Sequence, residues 1–190
     1  MDLVLYGSFN CPYSFLASLR ADRLVTCGEA AVDWWAVVHD PDVPLGGIPV
    51  AGELATMFDR ELDEIRGLLG NDESYPARRP QIQPNTTAAV AGYATLHGDD
   101  ADHLRRLLFS AFWGHSADIG DSAILTSLGC PTTPPGATMR RWAGEWQRIE
   151  HTAVPLIILP DGTVRRGLEA LGHLADQLNE IRPEHHTHLR

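Results

Sequence analysis

The chain is expected to fold as an α/β unit interrupted by a helical insertion, and three observations lead there. Short apolar runs of strand length lie at the start and in the last fifth of the sequence. Between them, roughly the middle hundred residues carry apolar positions at helical spacing. Pro- and Gly-rich stretches mark the change of period. Residues 1–44 and 151–190 are therefore assigned to the α/β unit and residues 45–150 to an all-helical insertion domain.

Leu3 to Tyr6 is apolar and bounded by Gly7 and Ser8, which reads as a buried strand. Pro12 suits a first helical position, where its missing N–H has no partner to lose, and Gly28 suits the stop, so a helix is expected over Pro12–Thr26. Ala31–Val38 reads as a second strand whose Trp34 and Trp35 point to opposite faces. After the loop Pro41–Pro49, Leu54, Phe58, Leu62, Ile65 and Leu69 recur at helical spacing within Ala51–Leu69. Tyr75–Pro84 is an extended connector, and Asn85-Thr86-Thr87 caps a helix reaching about His97. Further helices are expected at Ala101–Trp113, Ser122–Leu128 and Pro135–Glu150. The end of the chain returns to strands: Leu156–Leu159, a Pro160–Thr163 turn, Val164–Arg166, and a closing helix over Leu168–Ile181.

The chemistry concentrates at the first strand-to-helix junction. Cys11 stands before Pro12, at the cap of the expected helix, where unpaired backbone N–H groups and the helix dipole favour a thiolate. Its pKa is accordingly expected below that of a free cysteine. Cys11-Pro12-Tyr13-Ser14 occupies the place of a C-x-x-C redox motif but has serine second, so no disulfide forms within it. One turn on, the Ser14 hydroxyl is placed to donate to the Cys11 sulfur, and Tyr13 to form the lip of a pocket.

Strand, then C-P-Y-S, then Phe15-Leu16-Ala17-Ser18, resembles the DsbA-like thioredoxin-fold group, which includes FrnE-like oxidoreductases, 2-hydroxychromene-2-carboxylate isomerases and kappa-class glutathione transferases. Val154-Pro155 before the third strand, Pro84-Asn85-Thr86, and the Leu108–Trp113 run followed by Asp118–Asp121 extend the resemblance over most of the chain. It implies a thioredoxin-like fold with an inserted all-helical domain and a cis Val154–Pro155 bond opposite Cys11. It also implies a backbone edge at Val154 and Pro155 that binds a thiol or peptide, with Pro12 and Tyr13 beside it. Glu169, in Gly167-Leu168-Glu169, aligns with an element that meets glutathione in relatives that use it.

The implied function is thiol-disulfide exchange through the single cysteine, Cys11, with Ser14 assisting. The alternative is a glutathione-dependent isomerase or transferase, because that group usually carries S-P-Y-S, and in it Ser14 and Val154 would position the cofactor thiol. A second alternative is a binding or dimerisation module without catalysis. No tightly bound cofactor is expected, with glutathione or another low-molecular-weight thiol or disulfide as partner, and a homodimer is allowed.

Composition narrows the classes further. A net charge of −10 argues against nucleic acid and anionic membranes as partners. No apolar run approaches spanning length, no targeting stretch precedes the first strand, and only three cysteines occur, all of which suit the cytoplasm. Cys27 and Cys130 lack activating neighbours and read as incidental thiols. His185, His186 and His188 read as a polar tail, so no metal site is expected.

Overall fold

The computed structural model describes residues 1–149 and 153–181. A four-stranded sheet forms its centre, with β1 (Asp2–Gly7), β2 (Ala31–Ala36), β5 (Leu156–Ile158) and β6 (Val164–Arg166) in the order β2-β1-β5-β6. β1 runs parallel to β2, with Leu5 opposite Trp34, and antiparallel to β5, with Leu5 opposite Ile157. The parallel pair requires a crossover, supplied by α1 (Pro12–Thr26) as expected. The closing helix, α7 (Leu168–Ile181), packs beside α1.

The two faces of the sheet bury separate clusters. Leu3, Leu5 and Trp34 belong to the larger core with α1, α7 and the insertion, while Tyr6 packs on the other face with Val37, Leu156 and Trp146. This follows from strand alternation, and it places Trp34 and Trp35 on opposite faces. The Trp34 ring meets Phe109 edge-on at 5.6 Å, and Trp35 stacks on Trp142 at 6.2 Å. Gly7 is required by this packing, since a Cβ there would lie 2.1 Å from the Trp34 ring.

The insertion comprises α2 (Gly52–Gly67), α3 (Thr87–Tyr93), α4 (Gly98–Phe109), α5 (Ser122–Ser127) and α6 (Ala137–Arg148). A π-helical turn, Ser110–Gly114, continues α4. One feature is not helical: β3 (Ile48–Pro49) pairs antiparallel with β4 (Ile82–Gln83). The start of α3 is tied by Asn85, whose side chain accepts from the Thr87 N–H at 3.0 Å and donates to the Val43 carbonyl. No described helix is long and apolar enough to cross a membrane.

Two buried arginines join the insertion to α1. Arg20, 2 % exposed, donates to both carboxylate oxygens of Glu73 and to the carbonyls of Leu68 and Leu171. Arg105 meets Asp22 at 2.6 Å and Asp102 at 3.0 Å, donates to Ser18, and lies over the Trp34 ring. Both arginines gain partners for most of their donors, which burial of a charge requires. They fix the insertion against the helix that begins at Cys11.

Candidate active site

Cys11 is the N-cap of α1, with extended backbone at φ −104° and ψ 122°, and Pro12 opens the helix. The turn before it is held from several sides. The Cys11 N–H donates to the Ser8 carbonyl at 3.1 Å, and the Ser8 hydroxyl donates to Asn10 Oδ1 at 2.6 Å. The Trp113 indole N–H, from the π-helical turn, donates to the Phe9 carbonyl at 3.0 Å. Tyr75 O–H donates to the Pro12 carbonyl at 2.8 Å. The insertion thus sets the position of the Cys11 loop through contacts that local sequence does not reveal.

Ser14 is fully buried beneath Cys11. Its Oγ accepts from the Ser8 N–H at 3.2 Å, and its hydroxyl lies where it favours the thiolate form of Cys11. The Val154–Pro155 bond is cis, as the resemblance implies, and the Cys11 S–H donates to the Val154 carbonyl at 3.7 Å. Cys11, Pro12, Tyr13 and Val154 line a cavity of about 690 Å³, a volume suited to a small ligand. Pro155 is buried behind Val154, and its carbonyl accepts from the Gly167 N–H at 2.7 Å. Glu169 is not brought to the site: it is exposed at the start of α7 and does not line the cavity.

The remaining cavity wall comes from segments that the sequence left unassigned to chemistry. His39 and Asp40 follow β2, Met57, Phe58 and Glu61 lie on α2, and Gln83 ends β4. Asp40 accepts from Asn10 at 3.3 Å and from Gln83 at 3.0 Å, and pairs with His39 at 3.4 Å. The hydrogen bond from His39 is the main cause holding its carboxyl below the usual range. Glu61 differs, because burial, with Glu64 and Asp40 nearby, pushes its carboxyl up against the opposing pull of Arg60. Tyr13 donates to Glu64 at 2.6 Å at the rim.

Electrostatics overturn one expectation. Burial pushes the Cys11 thiol up to about 11, with a small further push from Glu61, although the Ser14 hydroxyl and the Ser14 and Tyr13 N–H groups favour the thiolate. The helix end does act on the sulfur. Its effect, however, amounts to about 0.3–1 kcal/mol, under one pKa unit, whereas desolvation reaches several units. The midpoint for alkylation of Cys11 is therefore expected above that of a free cysteine and toward 11. A pH series of iodoacetamide labelling, with Cys27 and Cys130 replaced by Ala, checks it; a midpoint below 8 would contradict the burial argument. Ser14→Ala should slow labelling at fixed pH by about tenfold, through loss of one thiolate donor. It should also cost about 1–3 kcal/mol, because the Ser8 N–H loses its acceptor, which denaturant unfolding measures.

Neither other cysteine is placed to resolve a bond made at Cys11. Cys27 is exposed at the far end of α1, about 24 Å away along the helix axis. Cys130 is buried against the Ala89 carbonyl, with its thiol also pushed up to about 11 by burial. The three histidines near the C-terminus lie outside the described residues.

A half-buried cysteine at a Pro-led helix start, facing a cis proline on a thioredoxin-like sheet with a helical insertion, defines the class. The chain belongs to the DSBA-like thioredoxin domain family, whose sequence model matches residues 2–129. No curated protein sequence matches it. Among solved structures, a 2-hydroxychromene-2-carboxylate isomerase superposes with a TM-score of 0.59 at 17 % identity, covering 96 % of this chain and 100 % of that one. A probable DsbA oxidoreductase from Streptomyces coelicolor gives 0.63 at 13 % identity, covering 96 % and 92 %. The cytosolic disulfide reductase DsbM from Pseudomonas aeruginosa, solved with GSH, gives 0.59 at 17 % identity, covering 94 % and 100 %. At these identities the likeness establishes the fold.

Proposed function

We propose that the protein is a thiol-disulfide oxidoreductase acting through Cys11 alone. The observation that carries this is the placing of the two motif side chains: Cys11 faces the cavity, while Ser14 is fully buried behind it and engaged by the Ser8 N–H. A ligand entering the cavity meets the cysteine sulfur first. Cys11 attacks a disulfide of a small molecule, the substrate S–S bond breaks, and a mixed disulfide forms as the departing sulfur takes up a proton. A second small thiol then releases Cys11, since Cys27 and Cys130 are not placed to do so. Val154 lies beside the sulfur and offers backbone along which the substrate chain can lie. Incubation with a small disulfide followed by peptide mapping tests this reading. It expects the adduct mass on Cys11, and an unmodified Cys11 overturns it.

A second reading is favoured by the raised thiol pKa. A Cys11 that stays protonated can act as a hydroxyl does, donating a hydrogen bond to the thiolate of a bound cofactor such as glutathione, as suits an isomerase or transferase. In that case the positioning falls to Cys11, since the buried Ser14 cannot reach the cofactor. Isomerase or conjugation assays with glutathione and an aromatic electrophile detect it. A GSH-bound neighbour supports a small thiol as partner in either reading.

A further inference from the structure

We propose that the Cys11 cavity selects cationic small disulfides, those carrying an amine near the sulfur, over anionic ones such as oxidised glutathione. The proposal rests on the redox reading above and adds the charge class of the substrate. Its basis is the cavity wall. Two carboxylates, Asp40 and Glu61, line it, and no arginine does so among the described residues. The one lining group able to carry positive charge, His39, is paired with Asp40.

The two carboxylates are not equivalent. Asp40 is engaged by Asn10, Gln83 and His39. Glu61 has no hydrogen-bond or ion-pair partner among the described residues, although it is half-buried, and burial raises its carboxyl. At the rim, Glu64 is already taken by the Tyr13 hydroxyl. Arg60 acts on Glu61 from the next position on α2, but it is exposed and does not line the cavity. A half-buried carboxylate facing a cavity without a partner is a place for a ligand cation. The net charge of −10 acts in the same direction at longer range.

The same cation addresses the chemistry. Burial and the Glu61 carboxylate disfavour a thiolate at Cys11, and a substrate ammonium beside Glu61 offsets the second of these where the thiolate must form. Cys11 then loses its proton and its sulfur bonds to one sulfur of the substrate. The substrate S–S bond breaks, and the released half leaves as an aminothiol after taking up a proton. Cys11 is oxidised to a mixed disulfide, and one thiol equivalent of substrate is reduced. A small thiol of a different kind, the reductant, then attacks the mixed disulfide, bonds to the half held on Cys11 and leaves with it as a new disulfide, while Cys11 returns to the thiol.

The test uses three disulfides of similar size on the Cys27→Ala protein: cystamine, bis(2-hydroxyethyl) disulfide and 3,3′-dithiodipropionate. Rates of adduct formation at Cys11, read by intact mass, are divided by the rates for an unstructured peptide containing residues 6–16. This removes differences in leaving-group reactivity. The normalised rate for cystamine should exceed that for the dianion by at least about tenfold, with the neutral compound between them, and added salt should compress the ratio. Glu61→Gln, which loses no hydrogen bond, should cut the ratio several-fold. Equal normalised rates, a faster dianion, or a ratio indifferent to both Glu61→Gln and salt overturns the charge selection while leaving the redox reading intact. Absence of any adduct with all three compounds overturns the redox reading itself, and the inference with it.

Discussion

Cys11→Ser is expected to lower thiol-disulfide exchange by at least about a thousandfold, to the background of the assay. Serine nearly preserves the size of the side chain, and the 3.7 Å thiol contact to the Val154 carbonyl that it gives up is long and weak, so unfolding should change little. The chemistry cannot survive, because a hydroxyl without a general base is a poor nucleophile and forms no disulfide. Assays of purified wild type and variant, for disulfide reduction and for glutathione-dependent isomerisation or conjugation, measure both readings at once. Loss of reduction with no gain of the second activity is the expected result. Conjugation or isomerisation that persists or rises in the variant would transfer the protein to the second reading, since the change creates the S-P-Y-S motif of those relatives.

Arg20→Ala should be the most damaging change away from the cavity, costing about 3–5 kcal/mol and lowering Tm by roughly 10 °C. Arg20 is 2 % exposed, and its loss takes a donor from the carbonyls of Leu68 and Leu171 and leaves the Glu73 carboxylate with only the Gly70 N–H and the more distant Arg23. The pH dependence separates the ionic part. Burial acts to raise the Glu73 carboxyl, but the Arg20 hydrogen bonds and charge, with the Gly70 N–H, bring it below its ordinary value. A depressed carboxylate pKa stabilises the fold above the unfolded-state value of about 4.3, and that stability is lost as pH falls through the folded-state value. The gap between wild type and Arg20→Ala should therefore narrow below about pH 4. Urea unfolding at pH 7 and pH 3 measures it; a gap that is constant with pH would mean that the arginine contributes packing alone.

The features legible in the sequence are those with local signals. β1, the Pro12 helix start and the β5 to β6 hairpin carry period, Pro and Gly cues, and each forms as the pattern indicates. The paired strands Ile48–Pro49 and Ile82–Gln83 are too short to show a period, so they were invisible within a connector rich in proline. At the site, Cys11, Pro12, Tyr13 and Val154 were legible from motif and resemblance, and they line one cavity. Asp40, Glu61 and Gln83 were not, because the insertion and the post-β2 segment meet only in three dimensions. Asn10, next to Cys11, and Ala153, next to Val154, sat where a sequence reading could have included them. The raised pKa of Cys11 is not legible in the sequence for the same reason: a cap is a local feature, whereas desolvation depends on everything packed around the sulfur. Glu169 shows the converse, a motif alignment that the fold leaves outside the cavity.

The central claim is that Cys11 itself forms the bond to substrate sulfur. A crystal structure of the protein soaked with a small disulfide tests it most directly. The account predicts continuous density from Cys11 Sγ to a ligand sulfur at about 2.05 Å, with the ligand lying beside Val154. An intact thiol lying unbonded against Cys11, at hydrogen-bond distance from its sulfur, would contradict it.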